Sequence, residues 1–201
     1  TLGASSTDAY AVFSVSWSPD GKFIAAVDRS VYKLRVYSFN GATLTQVGDY
    51  VSTGVWPWSV DWSSDGRFIA VVNYNASTLQ IFSFNGVSTP TQVGIDVTTG
   101  IRPQAVSWSP DGRFMLVVNE TDSTLQIFSF DIAGETAQIS QSLSTKKGPA
   151  SLSWSPIDLN AAVVSADLDM LQIFTIQQPS ILTQVGSNVG TGSSPDSLVW
   201  S

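Results

Sequence analysis

The sequence predicts an all-β fold of repeated four-stranded antiparallel sheets, and three observations carry that prediction. One stretch recurs, as "SWSPDGKF" at 16–23, "DWSSDGRF" at 61–68 and "SWSPDGRF" at 107–114. Its tryptophan returns as Trp17, Trp62, Trp108, Trp154 and Trp200, at spacings of 45, 46, 46 and 46 residues, so one unit of that length is repeated along the chain. Each unit holds four short runs with strand patterning between turn-forming residues, and no segment shows helical periodicity with caps. A four-stranded sheet with apolar residues on both faces has to stack on neighbours to bury them, and sheets of this size at this period give a β-propeller.

The second unit shows each element in order. "SVDWS" (59–63) alternates small or polar with apolar residues and reads as the first strand. "SDG" follows as a hairpin, where glycine accepts positive φ and aspartate bonds the turn. "FIAVVN" (68–73) is a continuous apolar run, as expected of a strand covered on both faces. After "YNAS" comes "LQIFSF" (79–84), β-branched and aromatic, then "NGVSTP" and a weaker outer strand, "TQVGIDV" (91–97). The whole of 1–201 reads as one propeller segment. Its repeats run at about 12–56, 57–102, 103–148 and 149–194, with a piece of an outermost strand at 1–6 and of an innermost strand at 196–201. In the fourth unit "SPIDLN" (155–160) replaces the Asp-Gly turn, so a different turn between the same strands is expected. The end pieces do not complement each other and the chain does not begin with Met. The expectation is an incomplete propeller within a longer one of roughly six to eight blades, with several chains sharing a ring as the alternative.

Composition narrows the function. A formal net charge of −7 repels phosphate backbones, so no nucleic acid partner is expected. No apolar run approaches the roughly 18 residues of a membrane span. The chain has neither cysteine nor histidine, which removes disulfides, thiolate metal sites, the commonest general base and any Ser-His-Asp triad. No cofactor is called for. Paired acids in "ETD" (120–122) and "DLD" (167–169) fall short of the six to eight oxygens of a calcium site, so no metal site is predicted. Two sequons, at Asn75 and Asn119, are placed in the loops after the second strands.

The pattern "WSPDGRFIAVVN" followed by "TLQIFSF" resembles the repeats of the WD-repeat superfamily, and "FIAVVNYNASTLQIFSF" (68–84) is similar to the repeats of lactonase-like bacterial propellers. The resemblance covers essentially the whole chain. The Trp-Asp that ends the third strand of WD repeats is here Tyr37-Ser38, Phe82-Ser83, Phe128-Ser129 and Phe174-Thr175, and the Gly-His signature is missing. The chain is therefore WD-like and outside that family proper.

Comparing the repeats with each other locates the variable positions. The segments before the first strand, "YAVFSV", "VWPWSV", "IRPQAV" and "KGPASL", and those after the second, "DRSVYK", "NYNAST", "NETDST" and "SADLDM", change from unit to unit while the strands scarcely do. In the topology that the resemblance implies, both sets open on one face around the central channel, as a binding surface would. The candidate ligand-binding residues there are Tyr10, Phe13, Trp56, Trp58, Tyr74, Arg29, Arg102, Gln104 and Glu120, with Lys147 and Asp167 nearby. Trp and Arg anchor interfaces, and aromatic faces stack on sugar rings. Asp61 stands where the other units have Ser16, Ser107 and Ser153, and reads as a hydrogen-bonded structural acid or as a carboxylate facing the channel. The leading reading is a non-catalytic scaffold that offers this face to a protein partner. A lactonase-like enzyme, disfavoured by the lack of histidine, is the alternative, as is a glycan-binding propeller stacking sugars on Trp56, Trp58 or Tyr74.

Overall fold

The computed structural model describes residues 11–130, 136–177 and 181–200, and of 136–140 the backbone alone. Four antiparallel sheets follow one another along the chain, each a meander in sequence order. Blade 1 comprises β1 (Val12–Trp17), β2 (Phe23–Asp28), β3 (Lys33–Phe39) and an outer strand broken into β4 (Leu44–Gln46) and β5 (Val51–Ser52). Blade 2 comprises β6 (Pro57–Trp62), β7 (Phe68–Asn73), β8 (Thr78–Ser83) and β9 (Thr91–Thr98). Blade 3 holds β10 (Pro103–Trp108), β11 (Phe114–Asn119), β12 (Thr124–Phe130) and β13 (Thr136–Ser144). Blade 4 holds β14 (Pro149–Trp154), β15 (Asn160–Ser165), β16 (Met170–Gln177) and β17 (Ile181–Gly190). No helix occurs among the described residues. The fold is thus all-β, a partial propeller of four-stranded blades.

The hydrophobic core lies between blades. Val27, Leu34 and Val36 of blade 1 meet Trp62, Ile69 and Phe82 of blade 2. Val72, Leu79 and Ile81 then meet Trp108, Met115 and Phe128, and Val118, Leu125 and Ile127 meet Trp154, Val163 and Phe174. This arrangement explains why the second strands are apolar throughout: both of their faces are covered. It also explains the recurring tryptophan. Trp62 Nε1 donates to Ser16 O at 3.0 Å, Trp154 Nε1 to Ser107 O at 3.0 Å and Trp200 Nε1 to Ser153 O at 2.9 Å, each ring reaching one blade back. Trp17 has no described blade behind it and is 51% exposed, against 4% for Trp62. Residues 191–200 form no strand, although Trp200 keeps the contact of its repeat mates; the piece expected at 1–6 lies outside the described residues.

The repeated turn is a hydrogen-bonded unit. Ser18 Oγ donates to Asp20 Oδ1 at 2.6 Å and accepts the N–H of Phe23 at 2.9 Å, while Asp20 Oδ1 also accepts the N–H of Lys22 at 3.1 Å. Gly21 makes the turn at φ 68°, where a side chain would be strained. The same bonds recur around Asp65 and Asp111. In blade 4 Asp158 takes over, accepting the N–H of Asn160 at 3.0 Å between the same two strands.

At the opposite end, where first strands begin and second strands finish, a β-bulge follows the first residue of β6, β10 and β14. The prolines at those first places have no N–H to give and so suit a strand start. The residue ahead of each takes positive φ: 59° at Trp56, 59° at Arg102 and 68° at Gly148. Beneath them Asn73 and Asn119 close β7 and β11 as fully buried side chains. Asn119 Nδ2 donates to Thr124 Oγ1 and Gln126 Oε1, at 3.1 and 3.0 Å. The sequon at Asn119 is therefore inside a strand end and closed to a glycan in the folded chain, contrary to the loop position expected; Asn75 is exposed.

Candidate functional site

Each blade brings three positions together at this end: the residue before the first strand, the second residue of that strand and the residue after the second strand. A backbone hydrogen bond ties the first to the third in every blade, from Arg29 N to Ala11 O, Tyr74 N to Trp56 O, Glu120 N to Arg102 O and Ala166 N to Gly148 O, at 2.8–3.1 Å. The three positions hold Ala11, Phe13 and Arg29 in blade 1, Trp56, Trp58 and Tyr74 in blade 2, Arg102, Gln104 and Glu120 in blade 3, and Gly148, Ala150 and Ala166 in blade 4. Side-chain bulk and chemistry thus fill blades 1 to 3 and fall away over blade 4.

Across the blade junctions these side chains join into one cluster. Phe13 lies 4.1 Å from Trp58 between ring centroids, and Trp58 is stacked on Tyr74 at 4.6 Å. Trp56 lies 6.2 Å from Tyr74. Arg29 places its guanidinium carbon 4.6 Å from the Phe13 ring and 5.3 and 5.4 Å from Trp56 and Trp58, and Arg102 lies 5.5 Å from Tyr74. The Tyr74 hydroxyl donates to Glu120 Oε2 at 2.7 Å, and Gln104 Nε2 donates to the same oxygen at 3.0 Å. Burial, reinforced by the hydrogen bond to Glu120 and its charge, pushes the Tyr74 phenol above its ordinary value, so it is a neutral donor at physiological pH. Eight of the nine residues expected at the site meet here, and Tyr10 lies outside the described residues. Lys147 stands apart, paired with Asp167 at 3.4 Å on the exposed surface of blade 4.

Chemically, the cluster offers a carboxylate whose Oε2 is fixed by two donors, two guanidinium groups and an aromatic wall. Neither Arg29 nor Arg102 forms an ion pair among the described residues, where Lys22, Arg67, Arg113 and Lys147 all do. Asp61 serves a different purpose. Its Oδ1 accepts from Ser16 Oγ at 3.1 Å, and its Oδ2 from Ser107 Oγ at 3.1 Å and Trp108 N at 2.9 Å, so one carboxylate ties the inner strands of three blades. Burial pushes its pKa upward against the pull of those donors. A groove of about 820 Å³ lies at the far end between blades 1 and 2. Its walls are the repeated turns, where Asp65 is occupied by Arg67 at 2.6 Å, and nothing reactive converges there.

Comparisons with known proteins agree with this architecture. The model of a family described as lactonase, 7-bladed β-propeller, matches residues 2–100. A candidate 6-phosphogluconolactonase from Bacteroides uniformis superposes with a TM-score of 0.83 at 17% identity, covering 98% of this chain and 61% of that one. The periplasmic gluconolactonase of Pseudomonas aeruginosa gives 0.77 at 25% identity, covering 92% and 55%. A candidate 6-phosphogluconolactonase from Bacteroides fragilis gives 0.80 at 20%, covering 97% and 60%. The chain thus spans about three fifths of the length of these solved structures. Comparison with curated proteins finds no match. The chain is a propeller-repeat protein resembling the lactonase-like propellers. These findings correct the expectation of a non-catalytic protein-binding scaffold, because the matched family and the neighbours bear the names of lactonases. The lack of histidine does not exclude an enzyme, because a carboxylate can serve as general base in its place.

Proposed function

We propose that this chain carries part of the active site of a propeller lactonase that opens sugar lactones by hydrolysis. The observation that carries the reading is Glu120, held through one oxygen by Tyr74 and Gln104 at the face where three blades converge, which leaves Oε1 for a water molecule. In the proposed reaction Glu120 takes a proton as the water oxygen attacks the lactone carbonyl carbon, and the carbonyl π pair moves onto its oxygen. Arg102, beside Tyr74, is the cation assigned to stabilise that oxyanion in this reading. The carbonyl then re-forms and the bond to the ring oxygen breaks. The ring oxygen takes the proton back from Glu120, and the product is the hydroxy acid, which ionises. The aromatic wall of Phe13, Trp58 and Tyr74 gives the sugar ring an apolar surface beside the reacting carbonyl.

The test is proton release in a pH-stat by the full-length protein that contains this chain, offered glucono-lactone and its 6-phosphate. Enzyme-dependent acid production that saturates with substrate is expected. A rate equal to spontaneous hydrolysis for both lactones would overturn the reading.

A further inference from the structure

We infer that Arg29 is the specificity-determining residue for a phosphate group on the substrate, an inference that rests on the lactonase reading above. Arg29 occupies the repeat position held by Tyr74 in blade 2 and Glu120 in blade 3, directly after the second strand. Its side chain therefore belongs to the same face as the proposed base. Three rings from two blades surround its guanidinium, Phe13 at 4.6 Å, Trp56 at 5.3 Å and Trp58 at 5.4 Å. Rings stacked on a guanidinium plane leave its N–H edge free, and that planar fork matches the oxygens of a phosphate. Apolar surroundings also displace water, which strengthens attraction between the cation and an anion.

Two further observations favour a ligand over a purely structural stack. Arg29 is half-buried and in no ion pair among the described residues, although the chain carries 16 acids to 9 cations. A guanidinium kept from the carboxylates of the described residues is a group left to meet an anion from outside. The rings of Trp58 and Tyr74 lie between Arg29 and Glu120 in the line of contacts, so Arg29 is placed to meet a substituent of the lactone and not its reacting carbonyl. Arg102, in contact with the tyrosine that bonds Glu120, is the nearer cation to the carbonyl. The names of the structural neighbours include both a phosphorylated and an unphosphorylated gluconolactone, and Arg29 is the feature that would separate those two substrates here.

The experiment compares kcat/KM for glucono-lactone and its 6-phosphate in the full-length protein, in wild type, Arg29→Gln and Arg29→Lys, with the melting temperature of each. Arg29→Gln is expected to lower kcat/KM for the phosphate ester roughly 10- to 100-fold more than for the neutral lactone, chiefly through KM. Arg29→Lys keeps the charge but loses the fork and should fall between. Equal losses on both lactones, or losses that track a lowered melting temperature, would overturn the assignment and leave the lactonase reading standing. Hydrolysis of neither lactone by wild type would remove that reading, and this inference with it.

Discussion

Tyr74 donates its hydroxyl to Glu120 Oε2 at 2.7 Å across the junction of blades 2 and 3, although the two residues are 46 positions apart. They occupy the same place in successive repeats, so the pairing is a product of the repeat itself: the rotation from one blade to the next brings equivalent side chains within reach. The bond orients the carboxylate, and with Gln104 it commits one of its oxygens.

Tyr74→Phe removes that donor while keeping the ring stacked between Trp58 and Arg102. Since Gln104 still holds the carboxylate, kcat for lactone opening should fall by roughly tenfold and not vanish. Steady-state kinetics beside a thermal melt check this, with the melting temperature expected to change little.

Glycine at 54 is required by a close approach. A Cβ there would lie 2.8 Å from the buried amide of Asn73, which is held by Gln80 and Thr78 at 3.0 and 3.1 Å. Gly54→Ala should cost about 1–3 kcal/mol, as overpacking does, read from urea unfolding.

The tryptophan that names the repeat is a junction residue. Trp154 is buried against blade 3 and donates to Ser107 O. Trp154→Ala should cost about 3–5 kcal/mol, and Trp154→Phe, which keeps most of the packing, nearer 1 kcal/mol. Denaturant midpoints of the two variants distinguish packing from the hydrogen bond.

Acid should loosen the repeated turns. The Ser18 hydroxyl and the Lys22 N–H hold Asp20 below the usual carboxylate range. At Asp65 and Asp111 partial burial pulls the other way and is outweighed by the serine, backbone and arginine donors. A carboxylate with a lowered folded pKa contributes stability that is fully present above the unfolded value, about 3.9, and lost as pH falls through the folded value. Asp61, raised by burial, works in the opposite direction and gains as pH falls. Stability from urea titrations should therefore drop below about pH 4, less steeply in Asp65→Asn, whereas Asp61→Asn should lose the gain that the wild type shows as pH falls towards about 4 from above.

Much of this was legible before any coordinates, because the chain contains its own comparison. Trp17, Trp62, Trp108, Trp154 and Trp200 gave the period, and residues that vary against that period, from Arg29 to Tyr74 to Glu120, marked the face on which the cluster forms. What the letters do not carry is the rotation between blades, and so neither the Tyr74 to Glu120 bond nor the rings around Arg29 could be read from spacing. Asn119 was misplaced for a related reason: a sequon is a local pattern, whereas burial of that amide depends on Thr124 and Gln126 across a hairpin. Asp61 is the hydrogen-bonded structural acid that its place among serines allowed, with partners on β1 and β10 that the letters do not name. The lack of histidine pointed away from an enzyme, whereas the proposed base is a carboxylate, a residue type too common in the chain for its letters to single out Glu120.

Whether Glu120 is the base of the proposed lactone-opening site is decided by kcat/KM of Glu120→Gln against wild type on the same sugar lactone. A loss of roughly 10²–10⁴-fold with an unchanged melting temperature is the predicted result. Wild-type turnover in the glutamine variant would contradict it.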